Sequence, residues 1–197
     1  MLARVHLVDN DAALVRAWSE AFRDQPMFTV ERRNYFDVHA DAMVSPANSF
    51  GIMDGGLDKA IVETIGPSLQ TRVRERIEAR HHGELHVGAA EIVETGDSRW
   101  PWLVAAPTMR VPEDVSRTVN AYVAFRAILL AIRVHNASGA SPIRTLLCSG
   151  LATGVGGMPA RRCATQMRLA FLQVTGAATR PDFAAIHAAH GRMRTET

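Results

Sequence analysis

Cysteine is nearly absent from this chain. Its two residues, Cys148 and Cys163, show no CxxC spacing and no paired histidine motif, which excludes a disulfide framework and a zinc ribbon and leaves buried free thiols as the favoured reading. Long apolar runs are missing too. None reaches the roughly 20 residues that a bilayer requires, and Asp9 and Asp11 interrupt the start MLARVHLVDND where a signal peptide would need its apolar core, so a cytoplasmic protein with no membrane partner is expected. Excess charge of one sign is lacking: the formal net charge is +2, too little to argue for nucleic-acid binding by itself. The Arg-rich stretch RVRERIEARHH (72–82) interleaves Glu with Arg, as a solvated helix does. The eight histidines form no HExxH motif, and adjacent His81 and His82 point different ways on a helix, so neither a metal nor a cofactor is expected. No repeat and no low-complexity linker divides the chain, and a single domain over residues 1–197 is expected.

What is present is a regular alternation of strand and helix patterns, which implies an α/β layered sheet. Residues 4–8 read as a strand, followed by a helix capped by Asn10 or Asp11 and running to about Arg23, with Leu14, Val15, Trp18 and Phe22 on one face. A second strand lies within MFTVERRNYF, and a short buried one over 41–47 is broken by Pro46. Helices are predicted from about Leu57 to Ile65, from Ser68 to about Arg80 and from Ser116 to about His135. Strands are predicted over 84–96, 102–108 and 145–148, then a helix from Pro159 to about Val174 and one short helix in the tail.

The richest segment is LLCSGLATGVGGMPARRCATQM (146–167). An apolar strand feeds a loop with Gly150, Gly154, Gly156 and Gly157, and Pro159 opens a helix. Glycines let backbone N–H groups approach a ligand without a Cβ in the way, and the helix start adds partial positive charge, so the segment reads as a phosphate or diphosphate cradle. Proline in the first turn loses nothing, because that N–H has no helical partner. Loops 46–58, 107–114 and 149–158 all follow predicted strands and should converge at the carboxyl edge of the sheet, where open α/β sheets bind ligands.

Residues 41–61 read DAMVSPANSFGIMDGGLDKAI. Asn48 precedes a turn, Gly55 and Gly56 open the backbone, and Asp58 stands at a helix start; each of these also has an ordinary structural use as turn former or first-turn acid. With the four segments DAMVSPAN (41–48), DGGLDKAI (54–61), LVAAPTM (103–109) and ATGVGGMP (152–159) in this order, the chain resembles the macro domain family over about residues 34–175. The family shows DAIVNAAN, GGGVDGAI, VIHAVGP-like and STGVYGYP-like segments in the same order. The resemblance implies a three-layer α/β/α sandwich with a mixed central sheet, binding of ADP-ribose and, in some members, hydrolysis of its linkages.

Carried over residue by residue, the resemblance makes Asn48 the asparagine that contacts the distal ribose and Asp58 the aspartate that orients or activates water in hydrolytic members. These two are the candidate catalytic residues. Ala47, Gly55, Gly56 and Leu57 on one side and Thr153, Gly154, Val155, Gly156 and Gly157 on the other would bind the ligand, with Met158 where hydrolytic members place an aromatic ring. Arg110 could meet a phosphate or a carboxylate, or be a solvated loop arginine. The chain departs from the pattern in four places. Asn34, with Asp37 three residues on, falls in the register of the family's adenine-binding aspartate, which makes a different base possible. Gly156 replaces a bulky residue, Met158 replaces the ring, and Ser45-Pro46 replaces Asn-Ala. The implied partners are ADP-ribose or a related nucleotide, carried free or on a protein or nucleic acid. A hydrolase acting at the distal ribose is the favoured reading and a non-catalytic reader the alternative. A nicotinamide dinucleotide domain is disfavoured because its glycine fingerprint belongs after the first strand, and no Lys-Ser or Lys-Thr follows the glycines as a P-loop needs.

Overall fold

The computed structural model describes residues 2–194. One six-stranded sheet organises them: β1 (Arg4–Asp9), β2 (Phe28–Arg32), β3 (Ala42–Ser45), β4 (Glu91–Glu94), β5 (Trp102–Ala105) and β6 (Thr145–Cys148), in the spatial order β2-β1-β6-β3-β5-β4. All neighbours are parallel except β4, which runs antiparallel to β5 at one edge, so the sheet is mixed. The helices are α1 (Ala12–Ala21), α2 (Gly56–Ile65), α3 (Ser68–His81), α4 (Asn120–Ala137), α5 (Ala160–Thr175) and α6 (Phe183–Arg194), with a 3-10 turn at Tyr35–Asp37.

The inner strands are buried on both faces, which is why they read as short continuous apolar runs rather than alternating ones. Along each strand, successive side chains enter different cores. Ala42 and Val44 join Leu146, Cys148, Val5 and Leu7 under α1, α4 and α5. Met43 joins Leu147, Leu103 and Val8 under Tyr35, α2 and α3. The result is the α/β/α sandwich implied by the sequence. Both cysteines are free and buried, and burial raises the thiol pKa of each, that of Cys163 to about 12.

Several predicted boundaries move, each for a local reason. The 84–96 strand shrinks to Glu91–Glu94 because Gly88 adopts φ +101. The 102–108 strand ends at Ala105, ahead of Pro107. The long helix begins at Asn120 rather than Ser116: Asp114 Oδ1 accepts the Ser116 N–H and Thr118 Oγ1 accepts the Asn120 N–H, so turns occupy the interval.

This topology places a cleft. After β1 the chain leaves through α1 to one face of the sheet, and after β3 it leaves through α2 to the other. The two helix starts therefore diverge, with β6 between their strands, and a crevice opens at the carboxyl edge. Beneath it, β3 and β6 pair only through Ala42 and Met43. The buried hydroxyl of Tyr35 occupies the split that follows: it accepts the Val44 N–H at 3.0 Å and lies 2.9 and 3.1 Å from the carbonyl oxygens of Val44 and Leu147, to one of which it donates. Burial holds this phenol well above its ordinary pKa.

Candidate functional site

The crevice is a cavity of about 460 Å³, within the size range of small-molecule sites. It crosses the carboxyl ends of β2, β1, β6, β3 and β5: Arg33, Asp9 and Asp11 lie at one end, Thr108, Met109 and Pro112 at the other, and Ser149, Gly150 and residues 152–156 between them. The three loops singled out in the sequence all contribute.

The wall built on β3 begins with Ala47 and Asn48. The Asn48 side chain is committed to its own loop, its amide donating to Ile52 O at 2.7 Å and its Oδ1 accepting from the N–H groups of Phe50 and Ile52. An isolated bridge to Met109 ties this loop to the one after β5. Gly51 must be glycine: it has φ +63, and a Cβ there would lie 2.9 Å from Val73 Cγ1. Gly55 and Gly56 are not crowded, because a Cβ on either would meet nothing within 4 Å, though Gly56, at φ +55, also adopts a backbone that favours glycine. Packing leaves that space open, and the first N–H groups of α2, which have no helical acceptors, stand beside it.

Asp58 lies in the first turn of α2, buried, on the cavity wall. Burial pushes its carboxyl pKa up from 3.8 to about 6, against the opposing pull of the Ser45 hydroxyl, which donates to Oδ1 at 2.7 Å. Ser45 is the last residue of β3 and is itself buried. The acid is thus held by a hydroxyl at the spot where the resemblance would put an amide.

The opposite wall is the glycine loop after β6. Its entrance is tight: Gly150 donates to Asp9 Oδ2 at 3.2 Å, and a Cβ on it would lie 2.2 Å from Thr153 Oγ1. Ala152 sits at φ +63, a conformation that costs an L-residue of order 1 kcal/mol, held by the Met158 N–H on its carbonyl at 2.9 Å. Gly156 donates no side chain to the crowded turn, where a Cβ would approach Ala152 O to 2.5 Å, and its carbonyl accepts from Val115 N. Gly154, by contrast, faces open space.

The cavity therefore brings together Ala47, Asn48, Gly55, Gly56, Leu57, Asp58, Thr153, Gly154, Val155 and Gly156. Five other proposed residues stand off its walls. Met158 is buried in the core under α1 and α5. Gly157, at φ +62, turns toward Asp114 and Ser116. Arg110 forms a two-pronged ion pair with Glu84 at 2.7 and 3.0 Å over the ring of Phe50, which lowers the Glu84 pKa. Asn34 caps the 3-10 turn through Phe36 N, and Asp37 is exposed. Their neighbours Arg33 and Tyr35 reach the cavity instead.

Sequence reasoning passed over Asp9, Asn10 and Asp11. The signal was available, because this loop also follows a strand and the rule that selected three loops selects it as a fourth. Asp9 supports both Gly150 and the Asp11 N–H, while Asp11 caps α1 through Ala13 N. At this end Arg33 is engaged by Glu31 at 3.0 Å and donates to Asp37 O.

A model of the Macro domain family matches residues 44–167. An uncharacterized protein of Aquifex aeolicus is 30% identical over 131 residues, 66% of this chain and 72% of the relative. Another, from Aeropyrum pernix, is 31% identical over 133 residues, 68% of this chain and 64% of its own length. Among solved structures, the macrodomain of Mycobacterium tuberculosis DarG superposes with a TM-score of 0.60 at 20% identity, covering 74% of this chain and 90% of that one. A variant of the Oceanobacillus iheyensis macrodomain with ADPR gives 0.56 at 18% identity, covering 68% and 70%. The Trypanosoma brucei macrodomain in complex with ADP gives 0.53 at 24% identity, covering 73% and 56%. These structural likenesses carry the fold.

Proposed function

The chain belongs to the macro domain family, and from that premise we propose that it binds ADP-ribose, or a related nucleotide diphosphate-ribose, and hydrolyses a bond at the distal ribose. The observation that carries this reading is one buried carboxylate, Asp58, on the wall of a cavity bounded by two glycine loops.

The diphosphate lies between residues 55–57 and 153–156, where Gly55, Gly56 and Gly154 leave room and a helix start supplies N–H donors. The distal ribose faces Asn48 and Asp58. Cleavage at its anomeric carbon develops positive charge on the sugar, so a nearby anion stabilises the transition state. With a pKa near 6, Asp58 is mostly ionised at neutral pH and close to the optimum for a general base. It takes a proton from the attacking water as the water oxygen bonds to the anomeric carbon, and the leaving oxygen departs with a proton from solvent. Asn48 cannot act as base, and its amide orients a ribose hydroxyl by exchanging one of its bonds to Ile52 or Phe50.

The test is turnover of ADP-ribosylated protein, whose bond breaks at the anomeric carbon, and of O-acetyl-ADP-ribose, whose ester the activated water opens at the acyl carbon instead, with calorimetry on free ADP-ribose beside it. Binding with product formation that is lost in Asp58→Ala supports the reading, and full turnover by that variant removes Asp58 from the mechanism. One observation favours a second reading, that of a non-catalytic reader: the Asn48 amide is already satisfied within its loop. Tight binding with no product would select it.

A further inference from the structure

β4 is the last strand of the sheet and pairs on one side only, with β5. The register decides which of its backbone groups face outward. Trp102 N and Ala106 N donate toward β3, to Asp41 O and Ser45 O, so the alternate residues Leu103 and Ala105 exchange bonds with their partners Val93 and Glu91 in β4. Ile92 and Glu94 therefore turn their N–H and C=O groups away from β5, and among the described residues no segment takes them up.

This edge lies in a groove of about 1050 Å³ between α3 and α4, which shares no lining residue with the cleft described above. Its two walls differ. Arg72, Arg76 and Arg80 recur every four residues along α3 and form one row on that helix, while Leu130 and Val134, the latter 70% exposed, line the groove from α4. The side chains of β4 divide in the same way. Glu91 and Val93 lie on the α3 side, and Ile92 packs with Trp102 against the core on the α4 side.

The arginine row is short of anions. Arg72 has Glu75 one turn on, and Arg80 reaches the buried Glu91 at 3.5 Å, an acid already engaged by His81 at 2.7 Å. Arg76 has neither. The positions three and four residues from it hold Arg72, Val73, Ala79 and Arg80, and like charges four apart on a helix repel, so an anion entering the groove would relieve the row.

We propose that this groove binds an extended segment of a partner polypeptide, which adds a strand to β4 and alternates acidic with apolar side chains. An added strand sends successive side chains to opposite faces, so its acids meet the α3 row and its apolar residues lie on Leu130, Val134 and Trp102. Main-chain bonds at Ile92 and Glu94 hold it in place. Charged residues ordinarily guard a sheet edge, but here Glu91 is turned inward and bound, which leaves Glu94 as the exposed guard of the strand. A second copy of this chain fits less well. Its β4 is walled by the same two helices, and antiparallel pairing of the two edges would set one arginine row beside the other.

The experiment is fluorescence anisotropy on the full chain with short labelled peptides. One alternates Asp or Glu with Val or Leu, a second holds the same residues with acids and apolar side chains in separate blocks, and a third replaces the acids with Lys. The alternating peptide is expected to bind about tenfold more tightly than either of the others. Glu94→Pro removes one outward N–H at an edge position where proline is tolerated and keeps the bonds to β5. Measured against Glu94→Ala, it should weaken the alternating peptide about fivefold. Arg76→Glu should weaken that peptide as well and strengthen the lysine one. Equal affinity for the alternating and blocked peptides, or no binding of either, overturns the proposal, as does unchanged affinity in both Glu94→Pro and Arg76→Glu. A dimer in sedimentation that Glu94→Pro dissociates would assign the groove to a second copy, and a single-stranded oligonucleotide that displaces the peptide would assign it to nucleic acid; either result overturns it too.

Discussion

At the scale of single residues, Asp58 combines burial, a helix start and one hydroxyl donor, and their balance has a measurable sign. Its folded pKa is about 6 against 3.8 as the ordinary value, so between these pH values the folded state holds a proton that the unfolded state has released. Stability therefore falls as pH rises from about 4 to 6, by about 3 kcal/mol at most, and the penalty is fully present above 6. Asp58→Asn keeps the shape and removes the buried charge. The variant is expected to be more stable than the parent at pH 7, by about 1 to 3 kcal/mol, with the gain vanishing near pH 4; urea denaturation at the two pH values reads it directly. Hydrolysis should be lost in the same variant, since a carboxamide accepts no proton from water. In the parent, the rate should rise with pH through about 6 and level off as Asp58 ionises. Ser45→Ala removes the hydroxyl that favours the ionised form, so the midpoint of that profile should move to higher pH. An unmoved midpoint would mean that the hydroxyl does not tune the acid.

At the scale of elements, the cleft exists because β3 and β6 part company, and the Tyr35 hydroxyl fills the parting. Tyr35→Phe leaves the buried Val44 N–H without its acceptor, which costs about 1 to 3 kcal/mol. A drop in denaturation midpoint with unchanged circular dichroism is the expected result. The glycine loop offers a second test, because its glycines are not equivalent. A Cβ at Gly156 would drive into the Ala152 carbonyl, itself held at positive φ, so Gly156→Ala must move the loop. At Gly154 the same methyl group meets open space. In calorimetry with ADP-ribose, Gly156→Ala is therefore expected to lose affinity through the displaced loop. Gly154→Ala, if it weakens binding too, does so by occupying the ligand's own volume, and crystals of the two variants should show a moved loop only in the first.

At the scale of the whole molecule, the sandwich was legible because strands buried on both faces announce themselves as short apolar runs between helical patterns, and β6 with its glycine loop did so without ambiguity. The wall residues on the two glycine loops were legible for the same reason, since a turn that needs open backbone is written in glycine. Less legible were residues whose place depends on which way a side chain turns. Arg110 sits on a cleft loop yet points to Glu84, a partner 26 positions away in sequence, and Met158 enters the core instead of the cavity; no local pattern encodes either choice. The Asp9–Asp11 corner depended on recognising that a fourth strand also ends at this edge. The charge distribution that results makes a prediction of its own. Along the cavity, Arg33 faces four aspartates, Asp9, Asp11, Asp54 and Asp58, so a diphosphate bound there is held by backbone N–H groups rather than by a cluster of cations. Salt screens interactions between separated charges far more than it screens short hydrogen bonds in a partly closed site. Affinity for ADP-ribose should then change by less than about threefold between roughly 0.05 and 0.5 M salt, and Arg110→Ala should leave it within about twofold, its guanidinium being an exposed partner of Glu84. A steep loss of affinity with salt, or a collapse in the arginine variant, would show that cations outside these walls hold the phosphates, and the two glycine loops would lose their assigned role.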